Sequence, residues 1–105
     1  MGWLKDLKEA KAIKKLYEHI NDKHIAYATM RMPDGSEKII GKEGSVNIKD
    51  GEILLRVGDT FAFRGDLDSV RIGQLMSLNG VTIQGYDKAS GTQRSVIGYY
   101  EYHRK

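Results

Sequence analysis

The feature that most restricts what this chain can fold into is a change of hydrophobic period near residue 22. Before it, Trp3, Leu4, Leu7, Ala10, Ile13, Leu16, Tyr17 and Ile20 recur at steps of three and four. That spacing makes one side of an α-helix apolar. Lys5, Lys8, Lys11, Lys14 and Lys15 fall off this stripe, together with Asp6, Glu9 and Glu18. The pattern predicts an N-terminal amphipathic helix over residues 1–22, with Asn21-Asp22 as its stop.

After residue 22 the period becomes two, the repeat of strands with one buried face. Ala26, Ala28, Met30 and Met32 alternate with Thr29 and Arg31; Phe61 and Phe63 alternate with Ala62 and Arg64. Val70 and Ile72 flank Arg71, and Val81 and Ile83 flank Thr82. Pro33-Asp34-Gly35 interrupts the alternation with turn chemistry, Pro fixing φ and Gly accepting a positive one. Asp50-Gly51 separates residues 46–48 from 53–57, and Asn79-Gly80 separates 75–78 from 81–86. Such dipeptides favour the primed turns whose twist suits paired strands. Gly44, Gly51, Gly58, Gly65, Gly73 and Gly80 follow at a near-regular step, which reads as a rhythm of turns. The residues between them do not repeat, which argues against a β-solenoid. A last long strand is expected to end at His103, with Val96, Tyr100 and Tyr102 on the face of Gly98 and Ile97 and Tyr99 on the other.

The expected fold class is therefore α+β, mainly β: the helix, then an antiparallel meander of about six to eight short strands over residues 25–103. Strand edges need cover, so a small barrel or a sheet rolled around the helix is the expected architecture. A chain of 105 residues makes one domain, 1–105.

The same residues restrict the chemistry. With no cysteine there is no disulfide framework, thiol nucleophile or thiolate metal site. No apolar run approaches the roughly 18 residues of a membrane span, and the charged N-terminus is unlike a secretory signal. A cytoplasmic protein is expected. His19 and His24 are five residues apart, which does not put two ligands on one helical face, and His103 lies near the chain end. Asp66 and Asp68, with Asp59 nearby, supply too few oxygens for a calcium loop and suit an ordinary turn. The glycines match no phosphate-binding loop. No catalytic residue, metal ligand or cofactor is expected, and the protein reads as a non-enzyme.

Binding is the remaining class. The net charge of +3 sits at the two ends: residues 1–24 hold six lysines against four acids, and residues 88–105 hold four basic residues against Glu101. The first expectation is a non-enzymatic binding or scaffold module that self-associates or holds another protein. Its contact candidates are Trp3, Leu7, Tyr99 and Tyr102, because aromatic and large apolar side chains bury much area at interfaces. The alternative is a small-barrel protein that binds RNA or another single strand. Its candidates are Arg71, Arg94, Tyr100, Tyr102, Arg104 and Lys105, aromatics interleaved with cations. Against it, Glu101 interrupts the basic run, and Tyr100 and Tyr102 also suit packing on the helix. The helix resembles those that lie on anionic membranes, but its acids dilute that charge and its stripe has a use as cover for the strands.

Overall fold

The computed structural model describes residues 14–75 and 79–101 of the chain. Residues 14–20 are helical, with Ile20 buried, Leu16 packed on the core, and Lys14, Lys15, Glu18 and His19 exposed. The rest of the expected helix lies outside the described residues.

Seven strands follow: β1 (Lys23–Arg31), β2 (Glu37–Lys49), β3 (Glu52–Val57), β4 (Thr60–Asp66), β5 (Val70–Gln74), β6 (Gly80–Asp87) and β7 (Thr92–Tyr99). They form one antiparallel sheet in the order β4-β3-β2-β1-β7-β6-β5. The expected single meander is thus two meanders, β1 to β4 and β5 to β7, joined where β1 pairs with β7. Short-range alternation cannot reveal that join, because its partners, Tyr27 with Tyr99 for example, are far apart in sequence. No helix among the described residues is long and apolar enough to cross a membrane.

The turn signals are met unevenly. Asp50 and Gly51 have φ of 54° and 75° and sit between the paired Lys49 and Glu52, as a primed two-residue turn requires. At the β1–β2 connection the Gly35 N–H donates to the Met32 carbonyl and Gly35 has φ of 89°. Asn79-Gly80 is different. Gln74 pairs with Val81 and the Leu75 N–H donates to the Gly80 carbonyl, so Gly80 opens β6 rather than turning a hairpin. The strand that pairs with β6 is Val70–Gln74; of the segment expected over 75–78, residues 76–78 lie outside the described residues.

Only two of the six glycines in the rhythm mark turns. Gly51 and Gly58 are at turns, whereas Gly44, Gly65 and Gly73 lie inside strands. Crowding explains two of these: a Cβ on Gly44 would sit 1.7 Å from the Arg56 carbonyl oxygen, and one on Gly65 would sit 2.7 Å from Phe63. Such glycines let backbone and side chain approach closely.

The core gathers Ile20, Ile25, Ala28, Val46, Ile53, Leu55, Phe63, Val81, Ile83 and Val96, all fully buried. Ile25 and Ala28 both reach it although strict alternation would separate them. The β1–β2 ladder is irregular here: it shifts register after Ala28, and Glu43 adopts a φ of 55°.

The sheet does not close into a barrel, since β4 and β5 remain its two ends. β4 nonetheless meets the end of β6 at one corner. The Arg64 N–H donates to Asp87 Oδ1 at 2.9 Å and the Lys88 N–H donates to the Arg64 carbonyl at 2.7 Å. The Asp87 carboxylate thus stands in for the backbone carbonyl of a missing partner strand.

Candidate functional site

The face of β5, β6, β7 and β1 that points away from the core carries a polar row. Alternation sends Val81, Ile83 and Val96 inward, so Gln84 and Ser95 take the outer side. Register then fixes the row: Arg71 opposes Gln84, Gln84 opposes Ser95, and the Met30–Val96 pair puts Arg31 beside Ser95. Neighbouring strands are about 4.8 Å apart, so the two arginine backbones lie about 14 Å apart with Gln84 and Ser95 between them.

A cavity of about 280 Å³ opens over this row, lined by Arg31, Arg71, Gln84 and Ser95 with Gly73, Thr82 and Ile97. A neighbouring groove of about 590 Å³ shares Arg31, Gln84 and Ser95 and continues past Met30, Met32 and Pro33. Arg31 and Arg71 are exposed, and neither has a hydrogen-bond or ion-pair partner among the described residues. Two planar guanidinium groups, two hydroxyls and an amide around one concavity suit an oxyanion, phosphate or carboxylate.

One acid borders the site. Glu37 opposes Arg31 in the β1–β2 ladder. Its Oε1 accepts the Thr29 hydroxyl at 2.7 Å and the Tyr99 hydroxyl at 2.8 Å. Burial and the hydrogen bond to Glu37 push the Tyr99 phenol up to about 12. Tyr86 stands on the same outer face, two residues along β6 from Gln84, with 45% of its surface exposed.

Of the residues singled out in the sequence, Arg71 belongs to this site. Arg94 lines only the neighbouring groove: it lies on the core side of β7 and reaches across the open seam. Its Nη1 donates to Asp87 Oδ2 at 3.1 Å and to the Ala62 carbonyl at 3.3 Å. Tyr100 lies under Lys23, whose Nζ is 5.4 Å from the ring centroid; its buried hydroxyl has no partner among the described residues. Burial raises that phenol above its ordinary value. Tyr99 is 9% exposed and stacks on Tyr27 with centroids 4.6 Å apart. Trp3, Leu7, Tyr102, Arg104 and Lys105 lie outside the described residues.

The other candidates are dispersed. His24 meets Glu43 at 2.9 Å on the surface and His19 is exposed. Asp66 accepts from Lys88 Nζ at 3.0 Å, and Asp68 and Asp59 are exposed. Among the described residues no three His, Cys, Asp or Glu side chains are grouped to hold a metal ion.

Arg31, Gln84, Ser95 and Tyr86 escaped the sequence reading. The alternation of Val81 and Ile83 with Thr82, Gln84 and Tyr86 was the available signal for β6. The lateral neighbours across four strands had none. Comparison with protein-family models, curated proteins and solved structures found no match.

Proposed function

We propose that this protein is a non-enzymatic binding module that takes an oxyanion group, phosphate or carboxylate, on the outer face of β5, β6, β7 and β1. One observation carries the reading: every other arginine among the described residues is engaged within the fold. Arg64 pairs with Glu52, Arg94 with Asp87, and Arg56 lies over Phe61. Among the described residues, Arg31 and Arg71 alone face a shared cavity without a partner. Two like charges directed at one concavity repel, and an anion between them relieves that repulsion while accepting their hydrogen bonds.

Self-association draws less support from the described surface, because Tyr99 is committed to Tyr27 and Glu37 and offers little area. The absence of cysteine fits a reducing compartment, and a cytoplasmic setting belongs to the same reading.

Calorimetric titration of inorganic pyrophosphate at low ionic strength tests the proposal. A charge-assisted hydrogen-bond pair contributes about 1.5–3 kcal/mol, so Arg31→Gln or Arg71→Gln should weaken binding roughly tenfold or more. Saturable binding by the parent chain, lost when both arginines are replaced, is the expected result. Absent binding, or affinity unchanged by the double replacement, would refute it.

A further inference from the structure

We infer that the anion this face takes is part of a nucleotide unit, with its base stacked on Tyr86 and its phosphate between Arg71 and Arg31. The inference rests on the oxyanion reading above and adds the chemistry of the ligand's other half.

Tyr27 and Tyr99 stack on each other, Tyr100 lies under Lys23, Phe61 lies under Arg56, and Phe63 is buried. Among the described residues Tyr86 has no such ring or cation contact, and 45% of its surface is exposed. A large ring on a strand face gains nothing from facing water, whereas it makes a ready platform for a flat heterocycle.

Arg71 opposes Gln84, so Tyr86 is its diagonal neighbour on the same face, about 7–8 Å away. One nucleotide bridges such a gap, base to phosphate, without strain. The neighbouring groups are uncharged: Gln84 opposite Arg71 and Ser95 beside it offer an amide and a hydroxyl, able both to donate and to accept toward a sugar hydroxyl or base edge. The nearby carboxylate of Asp87 points to the core and is occupied by Arg94, so it does not repel a phosphate on this face. A bare carboxylate ligand would leave Tyr86 unused, whereas a nucleotide uses both the ring and the arginines.

The test titrates the full chain with ribose 5-phosphate, uridine 5′-monophosphate and hexauridylate. The monophosphate should bind about tenfold more tightly than ribose phosphate, the contribution of one stacked base. Tyr86→Ala should remove that advantage, Tyr86→Phe should keep it, and Arg71→Gln should weaken all three ligands. Hexauridylate binding more tightly than the monophosphate identifies a single strand as the source; equal affinity identifies a free nucleotide. Equal, arginine-dependent affinity for ribose phosphate and the monophosphate would overturn the inference and leave the oxyanion reading standing. No arginine-dependent binding of any of the three would overturn both. The comparison of ligands on the parent chain holds even if a Tyr86 variant fails to fold.

Discussion

Replacing Asp87 with alanine should open the corner where β4 meets the end of β6. The Asp87 side chain is fully buried and accepts from the Arg64 N–H and Ala89 N–H, each at 2.9 Å, and from Arg94 Nη1 at 3.1 Å. Alanine orphans two backbone donors and leaves the Arg94 guanidinium without its counter-charge. Removing one partner of a buried pair costs about 3–5 kcal/mol. The Arg94 side chain keeps 17% exposure and can regain some water, so the low end, about 3 kcal/mol, is expected. In a domain whose whole stability is about 5–15 kcal/mol, that lowers Tm by roughly 12–24 °C. Thermal melts followed by far-ultraviolet circular dichroism measure it. Asp87→Asn keeps an acceptor oxygen for the two backbone donors and should cost less. Asp87→Ala combined with Arg94→Met should cost less than the two single changes added together, because the second change removes the stranded charge. A loss below about 1 kcal/mol for Asp87→Ala, or strict additivity in the pair, would refute this account of the corner. The pH dependence has a fixed sign. Burial pushes the Asp87 carboxyl up, but bonds from the Arg64 N–H, Ser90, the Ala89 N–H and Arg94 outweigh it and hold it below its ordinary 3.8. Its contribution is therefore present above pH 3.8 and is lost as pH falls through the lower folded value.

Other consequences can be measured on the same protein. Hydrogen bonds from Arg64 and then Lys88 lower the Glu52 carboxyl from 4.5 to about 2, so Glu52→Gln should flatten the loss of stability between those pH values in acid melts. Tyr99, raised from 10.0 to about 12, favours the fold below pH 10 and loses that contribution as pH climbs toward 12. Tyr99→Phe should weaken this alkaline loss, read by denaturation across that range. Gly44→Ala places a Cβ against the Arg56 carbonyl and should cost about 3 kcal/mol or prevent folding. Gly51→Ala meets nothing within 4 Å and should cost only about 1 kcal/mol, through its φ of 75°.

How much of this was legible in the sequence depends on the range of the interaction. Asp50-Gly51 encodes its turn in two residues, and the chain folds there as its chemistry dictates. Alternation around Val81–Ile83 and Val70–Ile72 is likewise local and places those strands, while Asn79-Gly80 carries the same signal and serves another purpose because Gly80 has to pair with Tyr99. Gly44 and Gly65 look like turn glycines until the facing Arg56 carbonyl and Phe63 ring are in place. The candidate site is the extreme case. Arg31, Arg71, Gln84 and Ser95 come from four strands, and they meet only through the β1–β7 pairing that joins the two meanders. Arg94 shows the converse: as a cation beside polar residues it reads as a ligand contact, yet its position on the inner face of β7 ties it to Asp87.

The central claim is that Arg31 and Arg71 frame an anion site, and the most direct measurement maps where an anion binds. Amide chemical shifts recorded by NMR during titration with pyrophosphate should move in a saturable way at Arg71, Gln84, Ser95 and Arg31. The amides around the occupied Arg64–Glu52–Lys88 cluster should stay in place. Shifts centred on that cluster, or none that saturate, would contradict the account.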